Sequence, residues 1–239
     1  MNSRELFTWL YVAGMAAGVL LFWAWSRNPR GVPQYEYLIA MFIPVWSGLA
    51  YTAMALGQGQ VEIAGQTTYF ARYIDWTVTT PLLLLSLGLT AMFYVPKDKR
   101  QVSLLAGLVG ADIVMILCGL VADLSSRPEV RFTWYGLGCV ALIVVLWGIW
   151  GPLRTIAAAH GERLSKVYNG LALYLTVLWF GYPTVWLLGP SGLGVIDQTT
   201  DTLLFVVLPF FSKVVFSIFD LASLRRLEKT AEHRAMAHP

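Results

Sequence analysis

The chain has 239 residues, of which 57% are hydrophobic and only 13% charged, and its net charge is +3. This balance excludes a soluble globular domain of ordinary composition, and so small a positive charge needs no nucleic-acid partner.

Stretches of about 20 apolar residues, the length that crosses a bilayer, predict seven spans. They lie at about 5–26, 34–56, 70–94, 102–122, 131–152, 168–188 and 199–222. The expected fold is all-α: a seven-transmembrane-helix bundle forming one domain over residues 1–224, with a charged tail over 225–239. The first segment lacks a small-residue cleavage site and reads as a true span.

Arg27 and Arg30 follow span one, and Lys97, Lys99 and Arg100 follow span three. Arg154, Arg163 and Lys166 follow span five, and Arg225, Arg226, Lys229 and Arg234 fill the tail. The alternate loops carry Glu62, then Asp123, Arg127 and Glu129, then Asp197 and Asp201. Basic residues thus mark one side, which places the N-terminus outside and the tail in the cytoplasm of a multi-pass cell-membrane protein. Between spans two and three, Gly57, Gly59 and Gly65 punctuate a connection in which Val61, Ile63, Thr67 and Thr68 predict a small β-hairpin. Cys118 and Cys139 fall inside spans and read as buried thiols, not as a disulfide. The tail past Leu224 reads as a solvated extension.

Setting aside Glu5, Arg131 and Asp201 near span ends, the ionisable residues within the spans are few: Glu36, Arg72, Asp75, Asp112, Lys213 and Asp220. Lys213 is the only lysine in a long apolar run, where a charge costs about 2.5–3.5 kcal/mol on insertion scales. A lysine kept there points to chemistry, and an apolar site frees its amine to form an imine with a carbonyl compound. Arg72 and Asp75 share a face of span three, so Asp75 is the expected anion for Lys213, with Arg72 balancing it from the outer side. In span six, Trp179, Tyr182 and Trp186 recur at spacings of three and four, a stripe that packs helices or, with Trp76, sandwiches a long flat ligand. Pro81, Pro183 and Pro209 interrupt spans three, six and seven, and Pro183 is a candidate hinge.

The run Arg72-Tyr73-Ile74-Asp75-Trp76-Thr77-Val78-Thr79-Thr80-Pro81, the Trp179, Tyr182, Pro183, Trp186 set and Ser212-Lys213-Val214 resemble helices three, six and seven of the microbial (type 1) rhodopsins. Within that family the segments 28–37 and 208–213 look most like the Anabaena sensory rhodopsin and xenorhodopsin group. The resemblance implies all-trans or 13-cis retinal held covalently by Lys213 as a Schiff base, with Asp75 as counterion and first proton acceptor. It implies a pocket of Trp76, Thr80, Leu83, Met115, Gly119, Tyr135, Gly138, Cys139, Trp179, Tyr182, Trp186, Pro209 and Ser212. It also implies a buried, hydrogen-bonded Asp112, a Tyr51 near the Lys213 cluster, and assembly into homo-oligomers, trimers in related proteins.

The chain departs from the outward proton pumps of that family. Ser86 stands at the inner donor position of span three, about 16 Å beyond Asp75 along the helix, and a serine does not titrate near neutral pH. Pro209 replaces a second counterion, and the outer carboxyl pair is reduced to Ser191 and Asp201. Asp75, Thr79 and Ser86 are the combination of xenorhodopsin-like photoreceptors. Asp220, about 10 Å past Lys213 on the same face, is either an interfacial carboxylate or a cytoplasmic proton acceptor, which Glu36 assists. The chain is therefore expected to be a non-enzymatic photoreceptor that signals to a cytoplasmic partner, with Arg225, Arg226, Lys229 and Arg234 as candidate docking charges. The competing expectation is a light-driven inward proton pump; a retinal-free transporter is the remaining class.

Overall fold

The computed structural model describes residues 2–63 and 65–237, with side chains as far as Glu228. Among the described residues, seven helices are long and apolar enough to cross a membrane. They are α1 (Ser3–Ser26), α2 (Gln34–Ala55), α3 (Phe70–Ala91), α4 (Val102–Leu124), α5 (Pro128–Ala159), α6 (Glu162–Leu188) and α7 (Gln198–Glu228). Helix α7 continues as helix to Ala237, and Leu224 and Leu227 are buried. The docking charges Lys229 and Arg234 lie outside the described side chains, while Arg225 is committed within the fold: it donates to Asn28 O at 2.7 Å and stacks on Trp25.

Local chemistry sets the helix ends. Asn2 and Glu5 form a reciprocal capping box at the start of α1. Arg30 and Gly31 take left-handed backbone angles in the turn to α2. Asp197 caps α7 by accepting from Thr200 N at 3.0 Å. Where they meet, α5 and α6 run further than their apolar cores suggest, to Ala159 and from Glu162, because charged and small residues extend both helices. The exposed Glu162–Lys166 pair at 2.6 Å lies on that extension.

The expected hairpin is present: β1 (Val61–Ile63) pairs antiparallel with β2 (Gln66–Thr68), Val61 opposite Thr68 and Ile63 opposite Gln66. Gly59, at φ 67°, lets this loop fold back so that its carbonyl accepts from Ala71 N at the head of α3.

The bundle turns its apolar residues both ways. Leu20, Leu49, Ile143 and Trp147 point outward and are more than half exposed, as a lipid-facing surface requires. Helix α3 is the inner member: 72% of its apolar window is buried, against 28–44% for the other six. A residue on α3 is therefore shielded almost wherever it points. Gly14 and Gly18 of α1 lie against Phe210 and Val214 of α7, where an added Cβ would stand 2.9 Å from each side chain. This close approach packs α1 against the segment that carries Lys213.

Two π turns interrupt the ladder, at Ile149–Leu153 in α5 and at Phe211–Val215 in α7. Pro209 lies just before the second and cannot donate to the carbonyl of Phe205. Tyr51 of α2 takes that role, donating its hydroxyl to Phe205 O at 2.6 Å. Cys118 and Cys139 are free thiols.

Candidate functional site

Lys213, in the π turn of α7, is 1% exposed, and Asp75 of α3 is fully buried. Lys213 Nζ makes an ion pair with Asp75 Oδ2 and donates to Ser47 Oγ at 2.9 Å. Ser47 donates its one proton to Asp75 Oδ2 at 3.0 Å, so the Tyr11 hydroxyl, 2.6 Å from Ser47 Oγ, must be the donor in that contact. Thr79 donates to Asp75 O at 2.9 Å and approaches Oδ1 at 3.3 Å. Removing two charges from water costs several kcal/mol per ion, which close pairing and further hydrogen bonds can offset. Ser47, Tyr11 and Thr79 supply those bonds.

Tyr51 joins this region indirectly: its ring packs on Tyr11 with centroids 4.1 Å apart. Arg72 shares a face with Asp75, yet its ion pair runs to Asp201, Nη1 to Oδ2 at 3.0 Å, and its guanidinium lies over the rings of Tyr69 and Phe205. Its long side chain reaches toward the start of α7, so the expected balancing of Asp75 gives way to a separate pair with Asp201.

Trp76, next to Asp75 on α3, enters the lining of an apolar cleft with about 100 Å³ of space large enough for water, though Lys213 and Asp75 themselves are not among its lining residues. Ten of the expected pocket residues line it: Trp76, Thr80, Met115, Gly119, Tyr135, Gly138, Cys139, Trp179, Tyr182 and Trp186. Leu83, Pro209 and Ser212 are buried but do not line it. Ser212 stands behind the wall, bonded to the Tyr182 hydroxyl at 2.8 Å, and Leu83 packs in the main core. The sequence reading missed Tyr73, Ile116, Leu142, Pro183 and Phe205, which also line the cleft. Trp76 meets Tyr182 edge-on at 5.2 Å, and Tyr135 stacks on Trp186 at 4.7 Å. Below the cleft Thr80 donates to the buried Asp112 at 2.7 Å.

Beyond Lys213 along α7, Asp220 is 2% exposed. It accepts from Ser86 on Oδ2 and from Thr90 on Oδ1, both at 2.6 Å, which removes the interfacial reading of this carboxylate. Glu36 is equally buried, with both carboxyl oxygens unpartnered and the Asp220 and Arg100 charges nearby. Ser191 and Asp201 were expected as the outer remnant. Asp123, assigned to a loop from sequence, lies buried in the last turn of α4, its carboxyl against Ser191 and Tyr73.

The residues suit a long apolar group ending in a carbonyl. Among the described residues Lys213 is the buried lysine, and Tyr182 of the aromatic cleft bonds Ser212 next to it, while the indole nitrogens of Trp76, Trp179 and Trp186 are buried without a hydrogen-bond partner. Fold and site together define a multi-pass membrane protein built around a buried lysine–carboxylate pair.

Residues 2–227 match the bacteriorhodopsin-like protein family, and the chain belongs to it. It is 36% identical to archaerhodopsin-2 of Halobacterium sp. (strain aus-2), over 96% of this chain and 89% of that protein. It is 33% identical to sensory rhodopsin-2 of Natronomonas pharaonis, over 94% of this chain and 90% of that one. Among solved structures, the thermophilic rhodopsin from Rubrobacter xylanophilus superposes with a TM-score of 0.89 at 34% identity, covering 94% of this chain and 97% of that one. The family binds retinal through a Schiff base, and its members are photoreceptors, pumps or channels, not enzymes in the usual sense.

Proposed function

We propose that this protein is a retinal photoreceptor in which light moves the proton on Lys213 Nζ and the resulting change in the bundle is read by a cytoplasmic partner. Lys213 holds the chromophore, and the aromatic cleft from Trp76 to Trp186 fixes its plane. When bound there, retinal supplies visible absorption and a double-bond isomerisation that redirects the nitrogen's proton.

The chain's own groups do the rest. Asp75 keeps a negative charge opposite Nζ and accepts its proton along a single hydrogen bond. Ser47 and Thr79 steady the carboxylate before and after transfer. Burial makes each charge on the pair sensitive to the other, so a proton shift alters both sites together.

The observation that carries the sensory reading is the bond from Ser86 to Asp220. The inner position of α3 itself carries a hydroxyl in place of a carboxylic acid, and that hydroxyl donates to Asp220 of α7. Loss of that acid suits signalling better than outward pumping.

The same bond motivates a second reading, inward proton transport, because Asp220 stands ready to receive a proton on the cytoplasmic side with Glu36 behind it. Recording external pH while retinal-loaded cells are illuminated separates the two. A sensor gives no sustained signal. A steady, uncoupler-sensitive alkalinisation that Asp220→Asn abolishes establishes the inward pump instead. Acidification contradicts both.

Trimeric assembly, an outward N-terminus and closeness to the xenorhodopsin group are further parts of this reading, and they rest on the resemblance and on loop charge.

A further inference from the structure

Helix α2 turns an apolar stripe outward. Leu38, Phe42, Val45 and Leu49 share one face and are 60%, 47%, 41% and 63% exposed. One turn before Leu38, on the same face, stands Tyr35. Its ring carries two cations: Lys97 Nζ lies 5.9 Å and the Arg100 guanidinium 5.6 Å from its centroid. The Tyr35 hydroxyl is buried with no hydrogen-bond partner.

Both cations come from the turn between α3 and α4, where residues 97–100 hold three basic side chains and one acidic one, Asp98. Among the described residues neither Lys97 nor Arg100 is in an ion pair. Arg100 gives one N–H to Val95 O at 3.4 Å. The Glu36 carboxyl is near enough to feel the Arg100 charge, yet it is buried and shares no hydrogen bond with it.

We propose that this end of α2 binds an anionic phospholipid, with an acyl chain along the α2 stripe and the phosphate at Tyr35 between Lys97 and Arg100. Exposed cations alone hold a free anion weakly, because water and salt screen them. Here they stand at the end of an apolar stripe that an acyl chain covers, so headgroup and tail are recognised together. A net negative headgroup is selected over a zwitterionic one, whose own cation would face Lys97 and Arg100. A phosphate oxygen is the acceptor that the Tyr35 hydroxyl lacks, and a tyrosine, apolar in body and polar at its tip, suits that interfacial place.

The arrangement recurs with one cation each at the same end of the bundle. On α1, Leu20 and Trp23 are more than half exposed and Arg27 lies over the Trp23 ring at 5.3 Å. On α5, Ile143 and Trp147 are more than half exposed and Arg154 lies over the Trp150 ring at 6.0 Å. Two cations and an unmet hydroxyl make the Tyr35 site the strongest of the three.

The test does not depend on photochemistry or on the proposed signalling role. Detergent-purified full-length protein is titrated separately with phosphatidylglycerol, phosphatidylcholine and glycerol phosphate, and binding is read by native mass spectrometry. Phosphatidylglycerol is expected to bind more tightly than phosphatidylcholine, and glycerol phosphate not to bind. Replacing both cations, Lys97→Gln with Arg100→Gln, is expected to weaken phosphatidylglycerol binding about 30-fold, the effect of two basic groups at an anionic surface. Arg127→Gln, at the opposite end of α4, is expected to leave it unchanged. Equal affinity for the two lipids overturns the proposal, as does an undiminished affinity in the double variant or an equal loss in Arg127→Gln. Glycerol phosphate binding as tightly as the lipid overturns it too. So does a lipid adduct that disappears as the chain self-associates, which gives the stripe to a second copy of this chain. If the double variant fails to fold, phosphatidylglycerol with a photoactivated diazirine in its acyl chain is crosslinked to the unaltered protein. Label on the α2 stripe supports the proposal, and label confined to other helices overturns it.

Discussion

The Ser86 hydroxyl donates to Asp220 across 2.6 Å and so ties the inner helix α3 to α7 on the C-terminal side of Lys213. Thr90 binds the other oxygen of the same carboxylate, which leaves Asp220 buried yet fully hydrogen-bonded. If Asp220 receives a proton during the light reaction, Asp220→Asn removes a positioned base, and such groups contribute roughly 10²-fold or more to a rate. Flash photolysis of this variant should show cytoplasmic proton transfer slowed by about that factor. An unchanged rate assigns Asp220 to structure alone.

Tyr51 does work that Pro209 creates. The proline leaves Phe205 O without its helical donor, and the Tyr51 hydroxyl fills the gap at 2.6 Å. Tyr51→Phe should therefore destabilise the bundle by about 1–3 kcal/mol, the cost of a buried acceptor left unmet. Denaturant unfolding in mixed micelles measures this. Restoring a backbone donor with Pro209→Ala in the Tyr51→Phe background should recover part of the loss.

Ser47 bridges the two charges of the site, accepting from Lys213 and donating to Asp75. Ser47→Ala removes both contacts and strands the Tyr11 hydroxyl. A charge-assisted hydrogen bond contributes about 1.5–3 kcal/mol, so a fall in thermal stability of that order is expected, together with a shifted visible band. Ser47→Thr keeps a hydroxyl and should restore much of both.

These residues also mark how far the sequence could be read. Lys213 and Asp75 stood out because a charge inside an apolar run is visible in one dimension and costs enough to demand a partner. The seven spans and the hairpin were legible for the same reason, through apolar length and turn glycines. Ser47 and Tyr11 were not: a serine in an apolar helix carries no periodic or charge signal, and its role depends on how α2 is rotated against α7. Arg72 misled because helical spacing puts it beside Asp75, while its side chain reaches a carboxylate 129 positions away. Asp123 was taken for a loop charge because the apolar window ended one residue before it. Ten of the thirteen pocket positions carried over from the family resemblance line the cleft, whereas Tyr73 and Phe205 depend on side-chain directions that only the packed helices set.

Lys213 is the proposed attachment point for retinal and Asp75 its proposed counter-charge. The visible absorption spectrum of protein purified from retinal-fed cells tests both at once. The wild-type protein is predicted to be coloured and Lys213→Ala colourless. Asp75→Asn is predicted to absorb at longer wavelength in its charged form, because the anion that stabilises the ground state has gone. A colourless wild type, or a Lys213→Ala protein that keeps its visible band, contradicts the account.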